Sequence, residues 1–157
     1  MLNEVITEAL KLDGFDEIFK IDNLSFFKKE KGDYKRYIIC YGVENLCAAS
    51  SINEYVLNNT PDSLKELAAF SKNTDLIVFL CLENLSEFKK IEKDVFEIEE
   101  DAFFFKKYVL YFMSQEVDLI ENMSFFEIKN VLSNSQAFGE YKKNPLNPSL
   151  YSWQSKT

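Results

Sequence analysis

Residues 76–82 read Leu-Ile-Val-Phe-Leu-Cys-Leu, an apolar run with no polar interruption. A run of this length, rich in β-branched and aromatic residues, is typical of a strand that is buried on both faces. Such a strand lies inside a sheet and is covered by helices. The segment therefore predicts a β-sheet as the centre of the fold, with this strand in its interior.

The chain before this strand alternates between helical and extended patterns. Residues 2–12 have apolar side chains at helical spacing, and Asp13-Gly14 is expected to end that helix with a left-handed cap. Short strands are predicted over three segments: 17–21, 24–29 and 34–41. Residues 44–57 are ambiguous and expected to be helical in part. We expect 34–83 to form a strand–helix–strand crossover, right-handed if its strands are parallel.

A second helix is predicted to begin at Thr60-Pro61 and to run to about Ser71. Threonine can cap the first turn of a helix, and proline suits the first helical position. Beyond the central strand, residues 86–93 are expected to form a short helix, and 95–99 alternate like a half-exposed strand. From Ala102 onward the pattern predicts three helices, over 102–113, 115–122 and 124–141.

Together these elements predict an α+β fold. A small mixed β-sheet is packed with one or two layers of helices, and the C-terminal third is helical. Residues 1–143 are expected to form a single domain. Residues 144–157, with Pro145, Pro148 and Trp153, are expected to form an extended or docking tail.

Composition excludes several classes of function. The 157 residues contain no histidine, which removes the usual general base, the usual partner of a nucleophile and the commonest metal ligand. Eighteen basic against 26 acidic residues give a net charge of −8, which disfavours direct nucleic-acid binding. Four scattered glycines cannot form a phosphate-binding loop. No cofactor, metal site or catalytic residue is therefore assigned.

The cysteines and the hydropathy indicate the compartment. Cys40, Cys47 and Cys81 are odd in number and lack Cys-x-x-Cys spacing, which fits a reducing environment. No apolar stretch is long enough to span a membrane, so no membrane partner is expected. A cytoplasmic location follows as the expectation.

One pattern leaves an enzymatic alternative open. Asp62 followed by Glu87 and Lys89 is similar to the Asp…Glu-x-Lys arrangement in which metal-dependent nucleases hold Mg²⁺ and orient water. The simpler interpretation is that Asp62 favours a helix dipole and that Glu87 and Lys89 lie on a solvated surface. Likewise, the acids of 92–101 fit either a metal cluster or a solvated strand and helix start, and the basic run of 28–36 fits either a nucleic-acid contact or a protected strand edge.

The most unusual segment is 101–113, Asp-Ala-Phe-Phe-Phe-Lys-Lys-Tyr-Val-Leu-Tyr-Phe-Met. As a helix it would dock on the sheet one aromatic face, which includes Phe104 and Phe105, and it would place Phe103 and Leu110 on the opposite side, between Lys106 and Lys107. That side is covered either by the following helices or by a partner chain, since exposed aromatic patches mark interaction sites. The predicted partner contacts are Phe103, Lys106, Lys107, Leu110 and Trp153.

The same stretch, extended to Ile98-Glu-Glu-Asp-Ala-Phe-Phe-Phe-Lys-Lys-Tyr-Val-Leu-Tyr111, resembles a known family. It is similar to the acidic–aromatic–Lys-Lys-Tyr signature in the middle components of three-component ABC-ATPase (Lamassu-like) bacterial antiphage systems. The resemblance implies a non-enzymatic accessory subunit that bridges an SMC- or Rad50-like ATPase subunit and an effector subunit, often a nuclease. Nucleic acid would then be contacted only indirectly, through the complex. The alternative from the residues themselves remains a small metal-dependent nuclease or nuclease-like domain.

Overall fold

The computed structural model describes residues 2–128, which form one mixed β-sheet with helices on both faces. The strands follow the chain in the order β1-β2-β3-β4-β5. β1, β2 and β3 form an antiparallel meander, whereas β3, β4 and β5 are parallel. The strands are β1 Asp16–Ile21, β2 Leu24–Lys31, β3 Tyr34–Val43, β4 Thr74–Leu82 and β5 Lys106–Met113. The helices are α1 Leu2–Leu12, α2 Ala49–Asn59, α3 Asp62–Lys65, α4 Ala68–Lys72, α5 Phe88–Glu100 and α6 Val117–Ile120. The predicted α+β fold with a small mixed sheet is confirmed.

The sheet is the middle layer of three. On one face, Ile77 and Phe79 of β4 pack with α1, α6 and a helical turn at residues 125–128. On the other face, Leu76 and Val78 pack with α2, α4 and α5. The segment 76–82 is thus an interior strand covered on both sides, as its sequence predicts.

Two parallel crossovers build the second half of the sheet. The connection from β3 to β4 contains α2, α3 and α4, and the connection from β4 to β5 contains α5. Both place their buried residues on the same face. This is the arrangement expected when two crossovers of the same hand advance across a sheet in the same direction. The crossover predicted over 34–83 is confirmed, with parallel strands.

The end of α1 is capped as the sequence predicts. Gly14 has a φ of +91°, its N–H donates to Lys11, and the N–H of Phe15 donates to Leu10. These are the two hydrogen bonds of a Schellman motif, and Leu10 and Phe15 are both in the core beside it. The cap turns the chain directly into β1.

Two predictions between α2 and α5 are wrong. The helix over 60–71 is divided into α3 and α4 by Leu67, which has extended backbone geometry. Thr60 does not cap its start, because its Oγ1 donates to the carbonyl of Val56 and so finishes α2. The strand over 95–99 is instead the second half of α5, with Val95 and Ile98 buried three residues apart.

The helix predicted over 102–113 is also wrong. Residues 106–113 are β5, hydrogen-bonded to β4 along its whole length. Val109 faces one side of the sheet and Leu110 the other, so β5 is apolar in every direction, as a helix buried all round would be. The sequence pattern alone cannot distinguish a helix that is buried on all sides from a strand that is buried on both faces. The pairing of residues 106–113 with β4 identifies the strand.

The remaining C-terminal predictions are met only in part. The helix over 115–122 corresponds to a 3-10 turn at Ser114–Glu116 followed by α6. The helix over 124–141 begins as expected, with reciprocal bonds between Ser124 and Glu127 that form a capping box. Its continuation, the tail 144–157 and Trp153 lie outside the described residues. Within residues 2–128, no helix has the length and apolar character needed to cross a membrane.

The three thiols should react at different rates in the native protein. Cys40 is buried between the sheet and α1, and burial raises the pKa of its thiol far above the usual range. Cys81 is exposed, but desolvation and then Glu87 and Glu83 raise the pKa of its thiol. Cys47 is exposed.

Iodoacetamide labelling followed by peptide mass spectrometry should modify Cys47 first and Cys81 more slowly. Cys40 should react at least ~100-fold more slowly than in denaturant. Early labelling of Cys40 would contradict the described packing of β3.

Candidate functional site

The segment between α5 and β5 is organised around the buried side chain of Lys107. This side chain has 0% exposure, and its Nζ lies 2.9 Å from Oδ2 of Asp101. The same ammonium group donates to three backbone carbonyls, those of Phe103 at 2.8 Å, Phe105 at 3.1 Å and Asp101 at 3.2 Å. An ammonium has three N–H donors, and these four acceptors surround it. The ammonium group lies just beyond the C-terminal end of α5, where the helix dipole also stabilises a positive charge.

We call residues 101–105 the aromatic loop, and Lys107 fixes its path. The N–H of Phe105 donates to the carbonyl of Phe103 in a tight three-residue turn. Phe104, at the centre of this turn, has a φ of +63°, a strained value for a bulky residue. Such strain persists where the surroundings over-determine the backbone, and here the carbonyls on both sides of Phe104 are bound to one ammonium.

The aromatic loop divides its three phenylalanines between core and solvent. Phe105 is buried and contacts the ring of Phe70 edge-on. Phe103 and Phe104 are 59% and 52% exposed, and their rings meet edge-to-face with centroids 4.3 Å apart. The loop therefore holds a pair of phenylalanine rings on the surface in a fixed position.

A second contact ties the aromatic loop to α2. Asn53 is 5% exposed, and its Nδ2 donates to Oδ2 of Asp101 at 2.8 Å. This hydrogen bond, followed by the one from Lys107, holds the pKa of Asp101 below its usual value. Asp101 is thus an ionised bridge between α2 and β5.

An open cavity lies where α2 meets the aromatic loop. Its volume is about 360 Å³, and its lining residues are Ser50, Asn53, Glu54, Leu57, Asp101 and Phe103. The Oδ1 atom of Asn53 is buried and has no hydrogen-bond partner among the described residues. The sequence does not reveal this cavity, because α2 and the aromatic loop are separated by more than forty residues of chain.

Another open cavity, of about 380 Å³, lies on the other face of the sheet. Three of its four charged lining groups have polar partners within the chain, and Nζ of the fourth, Lys29, lies 5.7 Å from the ring centroid of Phe15. Arg36 is paired with Asp75, and Asp13 Oδ2 accepts the N–H of Phe126 at 2.6 Å. This second cavity presents no comparable unpaired acceptor.

The predicted partner contacts fall into different environments. Phe103 and Lys106 are exposed, and Nζ of Lys106 lies 5.4 Å from the ring centroid of Tyr108. Lys107 and Leu110 are wrong as surface contacts of the folded domain, because Lys107 is enclosed by the aromatic loop and Leu110 is a core residue. Trp153 lies outside the described residues. Phe104, which the sequence assigned to the core-facing side, is exposed instead.

The residues of the alternative nuclease site are not brought together. Asp62 pairs with Lys65 in the single turn of α3, and Glu87 Oε2 accepts the N–H of Glu83. Lys89 lies in the first turn of α5. No group of three histidine, cysteine or acidic side chains suited to a metal ion occurs within residues 2–128.

The other two charged runs also have a structural explanation. The acids of residues 92–100 lie along α5, where Glu97 pairs with Lys93 and Glu99 accepts the N–H of Val109. In the basic hairpin, Lys28 and Lys35 both pair with Glu30. Arg36 is held by Asp75 of the neighbouring strand.

The fold and this geometry define a three-layer α+β domain with a braced aromatic loop. The family model described as ABC-three component (ABC-3C) system Middle Component 1 matches residues 19–136, more than half of the chain. The chain belongs to this family, and the resemblance seen at residues 98–111 is confirmed. Comparison with curated proteins and with solved structures gives no match.

Replacing Lys107 with methionine should destabilise the protein strongly. The substitution preserves length but leaves the carboxylate of Asp101 and three carbonyls without their shared donor. Removing one partner of a buried ion pair costs about 3 kcal/mol, or roughly 6–12 °C in the unfolding midpoint at this chain length. Differential scanning calorimetry measures the change.

The matched control for that experiment is Lys106→Met. Lys106 is the preceding residue on the same strand but is exposed, so its replacement should change stability by no more than about 0.5 kcal/mol. Equal effects of the two substitutions would contradict a structural role for Lys107.

Proposed function

We propose that this protein is a cytoplasmic, non-enzymatic accessory subunit that bridges the ABC ATPase subunit and the effector subunit of an ABC-3C system. Membership of the middle component family supports the assembly context. The observation that carries the proposal is the exposed Phe103–Phe104 pair on a loop fixed by Lys107. Bridging requires binding surfaces on a stable scaffold, and this pair has the character of one such surface.

Rigid, exposed aromatic rings are well suited to binding a protein partner. Aromatic side chains are enriched among the few interface residues that carry most of the binding energy. A loop already held in its bound conformation avoids the entropic cost of ordering on association. Buried carbonyl–ammonium bonds supply that order here, so the two rings are available without further folding.

A role without catalysis is consistent with the chemistry of the described residues. Within residues 2–128, the candidate nuclease side chains Asp62 and Glu87 make local surface contacts and belong to no group suited to a metal ion. The net charge of −8 disfavours a direct nucleic-acid contact, so nucleic acid is expected to be reached through the other subunits. No cofactor is required for a bridging role.

The first test concerns assembly. The chain is co-expressed with the ABC ATPase and effector of its own system, and effector retained by tagged ATPase is measured. The double variant Phe103→Ala, Phe104→Ala should weaken retention about tenfold or more, because it removes both exposed rings. Its unfolding midpoint should stay close to that of the wild type, since neither ring is buried.

Phe126→Ala is the control for the assembly test, since Phe126 is an exposed phenylalanine that lines the cavity on the other face. This variant should leave the amount of effector retained by the tagged ATPase unchanged. Equal retention by wild type and double variant would reject the aromatic loop as the contact. Retention of effector without this chain would reject the bridging role itself.

The second test concerns catalysis. The purified chain, incubated with Mg²⁺ or Mn²⁺, should leave plasmid DNA and single-stranded DNA intact and should release no phosphate from ATP. Activity lost on substitution of Asp62 or Glu87 by alanine would establish the nuclease alternative. Activity that survives both substitutions and co-elutes with the chain across column fractions would also reject the non-enzymatic role, whereas activity that separates from the chain belongs to a contaminant.

A further inference from the structure

Strand β5 lies at one edge of the sheet and has the composition of a segment that self-associates. Within residues 2–128 it pairs with β4 on one side and with no strand on the other. Its residues 108–113 read Tyr-Val-Leu-Tyr-Phe-Met, without a charge, a proline or a glycine. Short uncharged segments of high β-propensity form intermolecular sheets when their backbone is open at an edge. An unprotected β5 would therefore be a template for pairing with another chain.

Two carboxylates occupy the outer side of β5. The backbone N–H of Val109 donates to Oε2 of Glu99 at 3.3 Å, and that of Met113 donates to Oε1 of Glu116 at 3.0 Å. Glu99 lies in the last turn of α5, whereas Glu116 lies in the 3-10 turn that follows β5. Side chains of the same chain thus bind both N–H groups in place of a neighbouring strand.

The spacing of these two contacts decides whether a strand can be added. Alternate residues of a strand that is paired on one side direct their N–H groups toward the other side. Val109, Tyr111 and Met113 belong to this outward set, because the N–H groups of Val109 and Met113 are bonded away from β4. An added strand pairs with several successive members of such a set. Glutamates hold the members on both sides of Tyr111, so a continuous ladder does not form while both contacts persist.

The opposite edge, β1, is interrupted in a different way. Its pairing with β2 shifts register between Glu17 and Phe19, as at a β-bulge, and the charged residues Asp16, Glu17 and Lys20 are exposed. Bulges and exposed charges both hinder the pairing of edge strands. In contrast, β5 pairs with β4 in unbroken register and is uncharged over 108–113. Its protection therefore has to come from groups outside the strand.

We infer that Glu99 and Glu116 close the edge of β5 against strand addition, and that the partner they exclude is β5 of a second copy of this chain. A second copy brings an identical uncharged strand, and identical segments stack with matching side chains. The two carboxylates take the N–H groups with which a second β5 would pair. This inference concerns self-association and is independent of the bridging function.

The test compares two double variants of the full-length chain that lose the same charge. Glu99→Met with Glu116→Met removes both acceptors, whereas Glu99→Gln with Glu116→Gln keeps a carbonyl oxygen at each position. Over a concentration series, light scattering and thioflavin T fluorescence should show self-association of the methionine variant. The glutamine variant should keep the wild-type mass. Glu97→Met, which adds a methionine at an exposed acid of α5 away from β5, should also keep it.

Hydrogen exchange measured by NMR reports on the two contacts directly. In the unassociated fraction, the amides of Val109 and Met113 should exchange about fivefold or more faster in the methionine variant than in the glutamine variant, because each loses one hydrogen bond. In the associated fraction, the same amides should exchange more slowly than in the wild type, because a second strand then binds them.

Three results overturn the inference. A methionine variant of wild-type mass shows that the edge stays closed without the glutamates. Equal association of the glutamine and methionine variants shows that charge keeps the copies apart. Association that leaves the amides of Val109 and Met113 unprotected places the contact elsewhere. If circular dichroism shows that the methionine double variant is unfolded, Glu99→Met is compared with Glu99→Gln by the same criteria, since Glu99 is only half-buried.

Discussion

One ammonium group holds together the segment between α5 and β5 that exposes Phe103 and Phe104. Nζ of Lys107 binds one carboxylate and three carbonyls, which belong to three residues of the aromatic loop, Asp101, Phe103 and Phe105. The carboxylate of Asp101 also accepts a hydrogen bond from Asn53 of α2. A buried charge must be surrounded by acceptors, and the observed path of residues 101–105 supplies four of them. On the same path, Phe105 is buried and Phe103 is exposed.

The frame around this loop was largely predictable from local patterns. The apolar run at 76–82 gave an interior strand, and Asp13-Gly14 marked the cap of α1, because each depends on neighbouring residues alone. The sequence predicts a strand where α5 lies and a helix where β5 lies, and these two errors have a different cause. Residues 95–99 fit a helix face through Val95 and Ile98, and they also alternate as a strand does. The place beside β4 is taken by β5, so 95–99 are left to cover the sheet as part of α5.

The candidate site was predictable in one residue and hidden in the rest. Helical geometry places Phe103 opposite the sheet, covered by the following helices or by a partner chain; the residue is exposed, although the helix behind that expectation is absent. The sequence predicts Lys107 as a surface cation because lysine is almost never fully buried unless it is paired, and its partner Asp101 becomes adjacent only through the folding of the loop. Asn53 could not be assigned, because its role arises from its hydrogen bond to Asp101 of a loop that is distant in sequence.

The way the aromatic loop is braced has a consequence for how this subunit can diverge. Lys107 grips backbone carbonyls, which every amino acid possesses, and not the side chains of Phe103 and Phe104. The scaffold of the loop and the identity of the groups it displays are therefore encoded by different residues. The side chains at 103 and 104 can therefore be replaced without loss of the bonds from Lys107 to Asp101 and to the loop carbonyls.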